Sequence, residues 1–352
     1  MERRTFLKAV GGATGGLALG VDSLLSGDAA GPEVERVAGL PRRVLGRTGQ
    51  KLSVVGFPGL ALIHHDQPQC TESLHAALDR GVNYFDVAPA YGNGQCETKM
   101  GIGLQGLDRS RYFLACKTKQ RDQAGAREDL ERSLKLLKTD HFDLYQLHHL
   151  SRGESAQQSL GAGGAIETLL KAKEEGKIRY LGFSAHTSKA ALAALRGFRF
   201  DTAMFPINFV ELLRFGWGQD VLELARQQGV AVLAIKSLSR GLWPKGLEQT
   251  RKWWYRSMED QADVDLAVRF TLSQPGVVAA IPPSFLDLLD KTIEAGKTFR
   301  PILPAEMERL REIAAASDSV FQKEEAVAHW QHAPRGRLFP GCPHEGEAGM
   351  WT

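Results

Sequence analysis

Eight short apolar runs, separated by stretches of helical periodicity, constrain this chain more than any other feature of its sequence. They read LSVVGFPGLAL (52–62), VNYFDVAPA (82–90), YFLACKTK (112–119), HFDLYQLHHL (141–150), IRYLGFSA (178–185), TAMFPINFV (202–210), VAVLAIKSL (230–238) and VVAAIPP (277–283). Between them the apolar residues move to helix spacing. Leu74, Ala77 and Leu78 share one face, as do Leu130, Leu134 and Leu137, and then Ile166, Leu169 and Leu170, with Gly176 placed as a stop. A strand–helix unit repeated eight times predicts an α/β fold of the closed (β/α)₈ TIM-barrel kind. The rival, an open doubly wound sheet, needs a phosphate-binding glycine turn after its first strand, and GFPGLAL is a poor match to one.

The 352 residues divide on this reading into a leader (1–30), a linker (31–41), the barrel (42–319) and a C-terminal extension (320–352). A long connection at 240–262, rich in Trp and basic residues, interrupts the alternation after the seventh strand. A net charge of +3 gives no argument for nucleic acid or for an anionic membrane surface as partner. Cys70, Cys96, Cys116 and Cys342 show no C-x-x-C spacing, and the histidines of the extension (His332, His344) are too scattered for ligands, so no metal site is expected.

The leader opens with Arg3-Arg4, then Phe6-Leu7-Lys8 and a mildly apolar, Gly-rich run, and so resembles a twin-arginine export signal. The resemblance implies an export machinery as partner, a periplasmic or secreted destination, and passage in the folded state. Ala29 and Ala30 mark a candidate cleavage point, and the mature form is expected to carry no stable membrane span. A plain N-terminal tail or a short membrane anchor is the alternative.

In a (β/α)₈ barrel the reactive groups stand at the C-terminal ends of the strands. Those positions hold Asp86 and, in the following turn, Tyr91; then Lys117; then His148, with His149 next to it. His148 shares strand parity with Leu144 and Gln146, which favours it over His149. Such residues make a proton-transfer set. A phenol is a slow acid at neutral pH, an adjacent ammonium lowers its pKa, and a carboxylate holds the ammonium in a half-buried place. A neutral imidazole orients a carbonyl oxygen by hydrogen bonding. Taken singly, Asp86 also reads as a helix cap, Lys117 as a solvated lysine and His148 as a core histidine.

Together GVNYFDVAPAYGNGQCE, LACKTK, DLYQLH and GKIRYLGFSAH resemble the aldo-keto reductase family, over nearly all of residues 42–315. The resemblance implies that Asp86, Tyr91, Lys117 and His148 are a catalytic tetrad, with Tyr91 the general acid. It implies NADP or NAD as cofactor, held across the barrel mouth, and a small carbonyl compound or sugar as substrate.

The cofactor positions depart from the family pattern. Ser184 is kept, but Ala185 and His186 follow where Ser-Asn is usual; His186 reads equally as a substitute donor or as an ordinary loop residue. Met204 stands where a Gln is common, Asn208 matches a following Asn, and Ile235 replaces a stacking aromatic. Lys236 and Arg240 are candidate pyrophosphate donors, or else solvated cations. After the eighth strand Pro283, Phe285 and Leu289 replace the usual cations for a 2′-phosphate, leaving Ser284 and Lys291, so NAD and NADP both stay open. Trp243, Trp253, Trp254 and Tyr255 read either as packing or as a lid over the mouth. A second function class is a dinucleotide-binding sensor or subunit with little turnover.

Overall fold

The runs at the centre of the sequence are short and apolar on both faces: Ala231–Ile235 and Val277–Ile281 carry no charged residue and lie almost wholly inside. Strands of that kind belong in a parallel sheet covered on both sides. The computed structural model describes residues 35–328 and places them there.

In chain order the strands are β1 (Arg36–Val37), β2 (Leu40–Val44), β3 (Lys51–Ser53), β4 (Gly56–Pro58), β5 (Tyr84–Asp86), β6 (Phe113–Thr118), β7 (Phe142–Leu150), β8 (Ile178–Ala185), β9 (Thr202–Pro206), β10 (Ala231–Ile235) and β11 (Val277–Ile281). The helices are α1 (Gln67–Asp79), α2 (Gln95–Gly103), α3 (Gln123–Leu137), α4 (Gly153–Leu160), α5 (Ala165–Glu174), α6 (Ser188–Gly197), α7 (Gln219–Gln227), α8 (Gln261–Leu272), α9 (Leu286–Lys297), α10 (Pro304–Ala315) and α11 (Gln322–Val327). Strands β4 to β11 pair in sequence order, every pair parallel. A parallel bridge from Val55 to Ala280, with Ala280 N–H donating to the Val54 carbonyl at 2.9 Å, closes the ring. The expected (β/α)₈ barrel is therefore the observed fold.

The first expected strand is the one that divides. Lys51–Ser53 pairs antiparallel with β2, Gly56–Pro58 enters the barrel, and residues 59–64 turn as a 3₁₀ helix. A proline and a glycine at 58–59 end the ladder there. Residues 36–41, read as linker, carry β1 and the start of β2, so the folded unit begins at Glu35. The leader with Arg3-Arg4, and residues 329–352 with His332, His344 and Cys342, lie outside the described residues. No described helix is long and apolar enough to cross a membrane.

The core has two parts. Leu45, just past β2, and Leu52 of β3 pack under Tyr84, Phe113, Ala115, Leu144, Leu233 and Ile281 inside the barrel. The larger part fills the shell between strands and helices. Met204 belongs to the inner part, where it packs as a core side chain. Each such side chain contributes about 1.5–3 kcal/mol on burial. Strand parity then sets the site. Tyr84 is followed by Asp86, Ala115 by Lys117, and Leu144 by Gln146 and His148, so the polar residues are the top layer of the inward-facing columns.

Gly59 holds the rim together at the start of this layer. A Cβ there would stand 2.3 Å from the Asp86 carbonyl oxygen and 2.9 Å from Met100 Cε. Gly59→Ala is expected to push the end of β5 outward, destabilising the protein by about 1–3 kcal/mol. It should lower turnover along with the melting temperature; an unchanged melting curve would show the contact to be loose.

Candidate active site

Asp86 is the last residue of β5 and pairs in register with Ala115, so it reaches the rim beside Lys117 of β6. Beyond it the chain turns tightly. Tyr91 N–H donates to the Ala88 carbonyl, and Gly94 N–H to that of Pro89. Gly92 and Gly94 take left-handed φ values of 62° and 90°, which favour glycine. This turn folds Tyr91 back over the mouth.

Lys117 Nζ donates to Asp86 Oδ2, to the Val87 carbonyl at 3.2 Å and to the Tyr91 hydroxyl at 3.2 Å. Tyr84 OH donates to the other Asp86 oxygen at 3.0 Å. The His148 ring meets the Tyr91 ring edge-on, centroids 5.8 Å apart. All four expected catalytic side chains are buried and converge.

Burial governs the charges. It works against the Lys117 ammonium, but Asp86 and Tyr91 outweigh it and raise the pKa above that of an ordinary lysine. Burial lifts Asp86, with Lys117 pulling it back. The Tyr91 phenol is pushed up to about 12, because burial exceeds the opposing pull of Lys117. The sequence led us to expect the reverse sign for the tyrosine. Lys117 does favour the phenolate, yet desolvation wins. Burial first, and then Lys117 and Lys119, drive His148 well below the usual imidazole value, so it is neutral.

The neighbouring histidine also enters the mouth. The β7–β8 register shifts between Leu147 and Leu150, and His149 has a φ of 57°. Arg121 donates to the His148 and His149 carbonyls at 2.7 and 3.1 Å, and His149 N–H donates to Ser184 Oγ at 2.8 Å. This bulge frees the pair from strict alternation. His148 meets Tyr91, while the His149 ring lies 4.5 Å from that of His186.

The candidate cofactor residues separate into three groups. Lys236 and Ser284 line the same cavity as Asp86 and Tyr91, walled by Trp253, Trp254 and Tyr255. The aromatic loop thus faces the site, with Lys236 Nζ 5.6 Å from the Trp254 ring centroid. Ser184 is the next-to-last residue of β8, and Asn208 follows the end of β9. Ser184 accepts from His149, and Asn208 Oδ1 accepts from Glu211 N–H at 3.1 Å. Asn208 Nδ2 is enclosed with no partner among the described residues. His186 packs against His149 and Phe321, away from that cavity wall.

Arg240 lies farther along the loop and faces Arg256, whose pKa is lowered by burial and by Arg240. Neither guanidinium has a carboxylate partner among the described residues, which suits an anionic ligand. Lys291, in contrast, donates to the Glu259 carbonyl at 2.6 Å, and Phe285 stacks on His64. The start of α9 is therefore occupied by the Phe285 ring and by the Asp287–Arg251 ion pair. An orphaned amide donor and a pair of unneutralised guanidiniums fit a dinucleotide.

Sequence reasoning missed the part played by the C-terminal extension. Phe321 stacks on Trp217 at 4.9 Å, and Glu325 accepts from Trp217 Nε1 at 2.8 Å and from Ser188 N–H at 2.6 Å. Glu211 accepts from Ser319 Oγ and Val320 N–H at 2.6 and 2.8 Å; burial raises its pKa to about 7. A short acidic helix carries no sequence signal for such docking.

Comparison with known proteins agrees with this geometry. The aldo/keto reductase family model matches residues 63–315. The chain is 28% identical over 261 residues to the aldo-keto reductase YhdN of Bacillus subtilis, covering 61% of this chain and 75% of that protein. It is 28% identical over 222 residues to L-galactose dehydrogenase of Arabidopsis thaliana, covering 57% and 66%. An aldo-keto reductase of Bacillus halodurans in its holo form superposes with a TM-score of 0.63 at 22% identity, covering 81% of this chain and 99% of that one. The chain belongs to the aldo/keto reductase family and is an NAD(P)-dependent oxidoreductase.

Proposed function

We propose that this protein reduces the carbonyl group of a small aldehyde, ketone or sugar, with Tyr91 as proton donor. The observation that carries the reading is the single ammonium, Lys117 Nζ, bonded to both Asp86 and the Tyr91 hydroxyl. The dinucleotide, when bound, supplies the hydride. Tyr91 gives its proton to the carbonyl oxygen, and Lys117 stabilises the phenolate left behind. Asp86 keeps Lys117 charged and aimed. Neutral His148, beside Tyr91, donates a hydrogen bond that fixes the same oxygen. Asn208 Nδ2 and the Ser184 hydroxyl would hold the carboxamide, and Lys236, Arg240 and Ser284 the phosphates.

Steady-state assays of NADPH and NADH oxidation across a panel of aldehydes, ketones and sugars test this reading. Turnover with at least one compound supports it. Tight dinucleotide binding with no turnover on any of them leaves a sensor or subunit instead.

The leader supports a second proposal, that the protein is exported folded by the twin-arginine route. Changing both Arg3 and Arg4 to Lys is expected to retain the protein in the cytoplasm. Fractionation of cells expressing each form decides it, and equal distribution of the two would remove the proposal.

A further inference from the structure

Three segments far apart in sequence bring ligating side chains together on the mouth next to the tetrad. His149 comes from the bulge ending β7, His186 from the residue after β8, and Glu324 from α11 of the extension. Their ligating atoms lie within 4.8 Å of one another; His186 and Glu324 are buried and His149 half-buried. Metal ligation was not expected from the sequence because no two of the three are close enough along the chain to form a spacing motif.

We propose that His149, His186 and Glu324 form a binding site for a divalent transition metal of the zinc type, which fastens the C-terminal extension to the barrel. Two imidazoles and one carboxylate suit a borderline metal better than calcium or magnesium, which prefer all-oxygen shells. Tetrahedral bonds of about 2.0–2.1 Å place ligand atoms ~3.4 Å apart. With the ligand atoms all within 4.8 Å of one another, closing asks for at most about 1.4 Å of adjustment between any two. A fourth position remains for water or a small anion.

The surroundings hold the backbone in place at His149 and at Glu324. His149 is fixed through Ser184 and Arg121. Glu324 sits between two anchors, Phe321 on Trp217 and Glu325 on Ser188 and Trp217. The charges nearby are Lys119, Arg121 and Lys236. The same cations oppose a metal held by charge alone, so the bond must come from the two nitrogens.

The test is made on tag-free, full-length protein stripped by a chelator and titrated with Co²⁺, then with Zn²⁺. One equivalent of Co²⁺ is expected, with visible bands of tetrahedral intensity and no thiolate charge-transfer band. Glu324→Gln, nearly isosteric, should weaken Co²⁺ binding by at least about tenfold. His65→Ala, which removes an unrelated surface histidine, should leave it unchanged. Zn²⁺ should raise the melting temperature of the wild type and not of Glu324→Gln. Circular dichroism establishes that the variant is folded. Absence of stoichiometric Co²⁺ uptake by the folded wild type, or wild-type affinity in Glu324→Gln, overturns the proposal.

Discussion

Tyr91→Phe lowers kcat for carbonyl reduction by about 10²–10⁴-fold, the range for loss of a positioned general acid. Dinucleotide affinity should hold, because the ring and its edge contact with His148 remain while only the hydroxyl is lost. The wild-type pH profile follows from the same group. With its pKa near 12, Tyr91 is protonated at every ordinary pH, so reduction should show no basic limb from this residue below about pH 10. Oxidation of the alcohol needs the phenolate and should rise about tenfold per pH unit through the alkaline range. Rates in both directions between pH 6 and 10 check this. Equal pH dependence in the two directions would mean that another group moves the proton.

Lys117→Met has the larger effect on stability. It leaves the Asp86 carboxylate in a closed site with Tyr84 as a neutral donor and no ammonium. Removing one partner of a buried ion pair costs about 3–5 kcal/mol. Asp86 already has a folded pKa raised by burial, and without Lys117 it rises further. A raised folded pKa gives stability that is present below the unfolded value and lost as pH rises through the folded one. The deficit of Lys117→Met should therefore shrink as pH falls toward 4. Asp86→Asn combined with Lys117→Met removes both charges, so it should recover most of the lost stability and none of the activity. Denaturation of the four forms gives the cycle; simple additivity would show that the pair does not couple.

Strand ends were the legible part of the sequence. Apolar runs located the eight barrel strands, and their C-terminal residues supplied Asp86, Lys117 and His148 without reference to side-chain geometry. Two kinds of information were not local. The sign of the Tyr91 shift depends on how completely the mouth closes over the phenol, which no residue spacing encodes. The meeting of His149, His186 and Glu324 depends on a bulge and on a six-residue helix docking against α6 and Trp217. A one-residue register shift in β7 cannot be read from HFDLYQLHHL, since parity there points the two histidines to opposite faces. The split of the first strand was hidden for a related reason, since 52–62 is one apolar run although two sheets share it.

Ring closure also dictates when this chain can fold. Val55 emerges early from the ribosome but has no neighbour on its open side until Ala280 has been synthesised. Until then the nascent sheet keeps an unpaired edge and exposes apolar columns, the state most exposed to aggregation. Completion of the barrel must therefore wait for nearly the whole polypeptide, and a chaperone guarding that edge during synthesis would shield the stretch around β4.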